Sequence, residues 1–211
     1  MTQNKRYWEN EGAKKTFTHA LSEDWLAGLS ANALVLDVGC GYGRLTPELQ
    51  KLGFTTIFGY DFSPALIERA RHENPGAFYT SHIEDLTGKF YDLIICFALF
   101  TCCPTNEEQS QLVAMIDSLT QEGATLYISD YETSDNIHYI ERYEQRELDL
   151  FGCFKSGPAT FRHYQTGHFD RLLERWDMAM EQTQESRTLN GNAITIHQYL
   201  YIKGLAHNRI P

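Results

Sequence analysis

The chain has no apolar run approaching the roughly 20 residues that a membrane span needs. Its first residues, MTQNKRYWENEGAKK, carry no apolar core of a signal peptide. A soluble, cytoplasmic protein is expected, with no membrane partner. Basic residues are scarce: 18 Lys and Arg against 28 Asp and Glu give a net charge of −10. That is the opposite of a nucleic-acid binder's basic footprint, so no nucleic-acid partner is expected. The five cysteines, Cys40, Cys96, Cys102, Cys103 and Cys153, include no C-x-x-C pair. Their odd number and largely strand-like surroundings predict reduced, buried thiols rather than a disulfide frame. The eight histidines show no spacing that gathers ligands, and no metal is expected. No repeat, low-complexity tract or linker divides the 211 residues, so one domain over 1–211 is expected.

What is present centres on Val35-Leu36-Asp37-Val38-Gly39-Cys40-Gly41-Tyr42-Gly43-Arg44. A short apolar run, Ala33 to Val38, reads as a buried strand, and Leu45, Leu49 and Leu52 mark one face of a following helix. Strand, glycine turn and helix form the element with which an open α/β sheet binds a nucleotide-like ligand. A dinucleotide site prefers G-x-G-x-x-G. Here the spacing is G-x-G-x-G behind an acidic strand residue, Asp37. The string LDVGCGYGR resembles motif I of the class I S-adenosylmethionine-dependent methyltransferases. The resemblance implies S-adenosylmethionine as cofactor, held by Asp37, Gly39, Cys40, Gly41 and Gly43. It also implies a Rossmann-like, doubly wound α/β sheet of seven strands in the order 3-2-1-4-5-7-6, with the last strand antiparallel.

The rest of the chain follows that layout. Thr55 to Tyr60 reads as the second strand, ending at Asp61, with Ser63-Pro64 as the cap of the next helix. A carboxylate there can accept from both ribose hydroxyls, and the resemblance gives Asp61 this role and places Phe62 against the adenine. After a short strand at 77–81, His82 falls where the family carries an adenine-binding acid. His82 through its ring nitrogen, Ile83 through its backbone N–H, and Glu84 or Asp85 are the alternatives. Phe90 to Phe97 reads as the central strand, and its carboxyl end, with Phe97, is implied to lie near the transferred methyl. Thr105-x-x-Glu108 is a capping box, and Ala124 to Ser129 the fifth strand.

Residues 131–165 exceed a plain crossover and are read as a small cap inserted after strand five, with a helix and two short strands around a turn. It carries Tyr131, Arg142, Arg162, His163 and Tyr164. Tyr131 and His163 are the candidate catalytic groups. His163 is either a general base or a structural hairpin residue, and Tyr131 either faces the methyl or is a lid aromatic. Arg142 and Arg162 either hold an acidic group on the substrate or form surface ion pairs. Near the N-terminus, Trp8 either lines the mouth of the site or covers core, and the repeat Phe17, Leu21, Trp25, Leu29 predicts a helix over 14–29. Thr166 to Trp176 reads as the last helix, capped by Thr166. Two β runs follow around the hairpin signal Asn190-Gly191-Asn192.

Two kinds of function fit: methyl transfer to a small molecule, planar or apolar and anionic, enclosed by the cap, or cofactor binding without transfer, as a sensor or partner subunit. An RNA or protein substrate is the third and is disfavoured by the charge. Nothing in the sequence bears on oligomeric state.

Overall fold

The computed structural model describes residues 3–10, 12–14, 16, 19–145, 148, 150–187 and 193–204. Five strands run parallel: β1 (Leu34–Val38), β2 (Thr56–Tyr60), β3 (Phe78–Thr80), β4 (Leu93–Phe97) and β5 (Thr125–Tyr131). β6 (Cys153–Ser156) and β7 (Ala159–Arg162) form a separate hairpin. β8 (Trp176–Arg187) and β9 (Ala193–Lys203) complete the main sheet, in the order β3-β2-β1-β4-β5-β9-β8. With the cap hairpin set aside, β8 and β9 are the sixth and seventh strands, so this is the expected 3-2-1-4-5-7-6 order. β9 is the antiparallel strand, paired with β5 and β8. The Asn190-Gly191-Asn192 signal lies outside the described residues.

Six α-helices are described: α1 (Gln3–Asn10), α2 (Thr46–Lys51), α3 (Pro64–Glu73), α4 (Asn106–Ser118), α5 (Ile137–Glu144) and α6 (His168–Leu172). Alternate strand residues feed opposite faces of the sheet, as a period of two requires. Leu36, Ile94 and Leu126 face a cluster with Ile116, Phe169 and Trp176. Val35, Ile95 and Tyr127 face another with Leu26, Leu45 and Leu49. Both faces of the central strands are therefore covered, which is why they read as unbroken apolar runs. The pairings Val38↔Tyr60 and Phe97↔Ser129 set the carboxyl ends of four strands along one edge. The order reverses between β1 and β4, the position at which open α/β sheets bind ligands.

Local signals held where they are short-range. Ser63 Oγ accepts from Leu66 N–H, and the Thr105–Glu108 box closes in both directions. Cys40, Cys96 and Cys153 are buried, Cys102 and Cys103 are half-buried, and these five form no disulfide with one another. Two expectations need correction. Among the described residues of 14–29 no α-helix forms. Phe17 lies outside the described residues, and beyond it only a 3-10 turn, Glu23–Trp25, forms. The sheet takes the groups a helix would use: Ser22 N–H donates to Tyr127 Oη at 3.0 Å, and Gln198 Nε2 to Ala20 O at 2.7 Å. Leu21, Trp25, Leu26 and Leu29 still pack on the core. The last helix is also short, and its cap position is Gly167. Thr166 instead donates its hydroxyl to Glu132 Oε2 at 2.6 Å.

Candidate active site

The glycine turn is built by two constraints. Gly39 and Cys40 both donate their N–H groups to Tyr60 O, at 2.7 and 3.0 Å. Asp61, buried at the end of β2, then accepts from Gly41 N–H through Oδ2 at 3.1 Å and from Ser63 N–H through Oδ1 at 2.9 Å. One carboxylate thus fixes the turn after β1 and the start of α3 together. Gly41 has φ +55°, and a Cβ added there would meet nothing within 4 Å. The space beside it belongs to a cleft. Gly43 differs: a Cβ would run into the Tyr79 ring, so this glycine serves close packing and does not line the cleft.

The cleft holds about 690 Å³ of space, open solvent at its mouth included. Asp37, Gly39, Cys40, Gly41 and Arg44 line it from the turn, and Asp61, Phe62 and Leu66 from the end of β2. Phe97, Ala98, Leu99 and Cys102 line it from the end of β4, and Trp8 and His19 from the N-terminal segment. Burial pushes the Asp37 carboxyl up to about 7, with Arg44 opposing and Asp61 adding to the rise. Burial likewise raises Asp61 to about 6 against its bonds from Ser63 and Gly41. Ala98 leaves β4 with φ +52°, the only positive value among the described non-glycine residues, a conformation costing about 1–3 kcal/mol. Its N–H is held by Ser129 O at 2.7 Å. This turn brings Leu99 and Cys102 into the cleft wall.

His82 is exposed and Ile83 packs against the core; neither lines the cleft. The cap residues also stand outside it. Arg162 donates Nη1 to Pro104 O at 3.3 Å and to Asn106 Oδ1 at 2.7 Å, pinning the cap hairpin to the start of α4. Arg142 lies 5.8 Å from the centroid of the Phe154 ring. His163 is buried, packed among the rings of Tyr131, Tyr139, Tyr143 and Phe154. Its Nδ1 pairs with Tyr143 Oη at 2.7 Å. Burial and the nearby Arg142 cation push its pKa down to about 3. Of the two readings of His163, this geometry is the structural one, since a base must reach the group it deprotonates.

The residue that no sequence pattern singled out is His19. It is 2% exposed and lines the cleft. Its Nδ1 meets Ser129 Oγ at 3.0 Å and its Nε2 meets Tyr131 Oη at 2.6 Å. Burial, with Arg44 nearby, lowers its pKa to about 4. Tyr131 therefore approaches the cleft through His19 rather than by lining it. Among the described residues, no group of three or more His, Cys, Asp or Glu is placed to hold a metal, and no helix is long and apolar enough to cross a membrane.

A family model described as a methyltransferase domain matches residues 7–195. Ubiquinone biosynthesis O-methyltransferase of Xanthomonas campestris pv. campestris is 29% identical over 137 residues, 59% of this chain and 55% of that protein. The chain thus spans little more than half the length of the relatives it matches. Among solved structures, a SAM-dependent methyltransferase from Methanosarcina mazei superposes with a TM-score of 0.78 at 21% identity, over 89% of this chain and 100% of that one. Magnesium protoporphyrin IX methyltransferase from Synechocystis PCC 6803, solved with bound SAH, gives 0.67 at 16% identity over 95% and 98%. These structural likenesses speak to the fold; the family match covers most of the sequence. The open space beside Gly41 and the buried carboxyls of Asp37 and Asp61 fit the cofactor that this family uses, S-adenosylmethionine, and the chain belongs to the methyltransferase-domain family as a class I S-adenosylmethionine-dependent member.

Proposed function

We propose that the protein methylates a small molecule that enters the cleft beside the cofactor. One observation carries the reading. The cleft joins Asp37, Gly41, Asp61 and Phe62, the residues we assign to the cofactor, to the largely apolar group Trp8, Phe97, Leu99 and Cys102, and His19 also lines it. When bound, S-adenosylmethionine supplies a methyl carbon made electrophilic by its sulfonium. The chain's own task is to align the acceptor and exclude water. Asp61 offers its remaining acceptor capacity to the ribose, and Phe62 a face to the base.

The apolar group suits a planar or apolar acceptor. Arg142 and Arg162, expected to hold an acidic group, are outside it. Arg44, the one Lys or Arg among the described residues that lines the cleft, is paired with Glu48 at 3.2 Å, so it gives no support for an anionic acceptor. His19 is neutral at physiological pH and fixed on both nitrogens. With both ring nitrogens already bonded, we assign it, with Tyr131, to positioning the acceptor rather than to taking its proton. The relative's name, an O-methyltransferase, agrees with an acceptor carrying a hydroxyl.

The direct test incubates the protein with methyl-labelled cofactor and a metabolite extract. Label should appear in a small molecule. Label only in RNA or protein contradicts the reading. On the acceptor so identified, His19→Gln should lower turnover, by up to about 10²-fold through misplacement of the acceptor, while cofactor affinity holds.

Two binding outcomes follow from the same site. Gly41→Val is strained, because a β-branched residue rarely adopts positive φ, but its Cβ meets open space rather than the sheet, so the variant should remain folded. It should nevertheless lose S-adenosylmethionine in calorimetry, and unchanged affinity in the folded variant would contradict the placement. The second outcome is a pH dependence. Asp37 and Asp61 hold protons to about 7 and 6 in the free protein, and binding that needs them ionised must first remove those protons. Affinity should therefore rise from about pH 5 to about 7.5 and then level. His82→Asn should leave that slope unchanged. Affinity that falls with rising pH would defeat the assignment of these carboxylates.

A further inference from the structure

The cap does not line the cleft, yet it touches a residue that does. α1 makes the connection. Asn4, Tyr7 and Trp8 stand at i, i+3 and i+4, on one helix face. Trp8 lines the cleft and meets Phe161 of β7 edge-on, with centroids 6.4 Å apart. Tyr7 is buried and meets the same ring at 6.3 Å. Half a turn away, Lys5 Nζ lies 5.7 Å from the centroid of Phe62, on the opposite wall. The helix therefore spans the mouth from the end of β2 to the cap.

Asn4 fastens it. Asn4 Oδ1 accepts from Thr160 N–H at 2.9 Å, and Asn4 Nδ2 donates to Thr160 O at 2.7 Å. The side-chain amide thereby makes the two bonds that a neighbouring strand would make to the outer edge of β7. The same Nδ2 also donates to Cys102 O at 3.2 Å, and Cys102 is part of the cleft wall. One side chain ties together the N-terminal helix, the cap hairpin and the loop after β4.

We infer that Asn4 is a positioning residue that clasps α1 across the cleft, so that the cap governs how fast the cofactor leaves. The inference rests on the cleft being the cofactor site. Opening the mouth requires Trp8 to withdraw, and Trp8 cannot withdraw with α1 while Asn4 holds both Thr160 and Cys102. Asn4→Ala removes all three bonds. Asn4→Asp keeps an acceptor for Thr160 N–H but sets a carboxylate against two carbonyl oxygens, so it should open the clasp at least as far.

The test uses S-adenosylhomocysteine as probe, with stopped-flow displacement for its release rate and amide hydrogen exchange for the helix. In Asn4→Ala, release should quicken about tenfold, the loss expected for a small set of partly exposed hydrogen bonds. Exchange at α1 and at Thr160 should rise together, while that of β1 and β4 stays unchanged. Asn4→Asp should behave alike. Wild-type release rates in both variants would overturn the clasp and leave the cofactor site standing. A wild-type protein that fails to bind S-adenosylhomocysteine would overturn both.

Discussion

The Asp61 carboxylate is the contact on which the rest of the site depends. It receives the Gly41 and Ser63 N–H groups, so it holds the turn after β1 and the entry to α3 in one arrangement. Burying it carries a desolvation cost, visible in its raised pKa. Buried charge is tolerated where hydrogen bonds satisfy it, and here the donors are the backbone groups that shape the ligand site. The geometry that binds is thus the geometry that stabilises the carboxylate. Asp37, two residues before Gly39, is also buried, with Arg44 and Asp61 both acting on its carboxyl. The cleft is primed for a ligand that brings its own donors and positive charge.

A second set of polar contacts runs below the other wall. Gln198, fully buried on β9, donates to Ala20 O and accepts from Ser22 Oγ at 2.9 Å. Ser129, with Gln198 Nε2 at 3.4 Å, reaches His19, and His19 reaches Tyr131. This chain of side chains ties the N-terminal segment to β5 and β9 and holds the imidazole at the cleft. In a low-dielectric interior a satisfied network of this kind specifies one arrangement, because every unpaired member would be costly. It also accounts for the lack of an α-helix among the described residues of 14–29: the sheet offered partners that a helical turn would have left unused.

How much was legible in the sequence follows from the range of the contacts involved. The glycine string, Asp61 and its neighbour Ser63, and the Thr105–Glu108 box depend on residues a few positions apart, and a local pattern fixes them. Strand order followed from the resemblance and from apolar runs whose alternate residues feed two cores. His19 was not legible, because its partners lie 110 and 112 residues away and a single histidine in a mixed segment has no signature. The clasp from Asn4 to Thr160 spans 156 residues and is equally silent. Arg142, Arg162 and His163 were read from their chemistry alone. Their side chains found partners within the cap and at the start of α4, and composition cannot report which way a side chain turns.

The most direct measurement is a crystal structure of the protein with S-adenosylhomocysteine. The ribose hydroxyls should lie on the Asp61 carboxylate, the ligand backbone should pass over Gly41, and Trp8 should close the mouth. A ligand seated elsewhere, or one whose ribose leaves Asp61 untouched, would contradict the placement of the cofactor in this cleft.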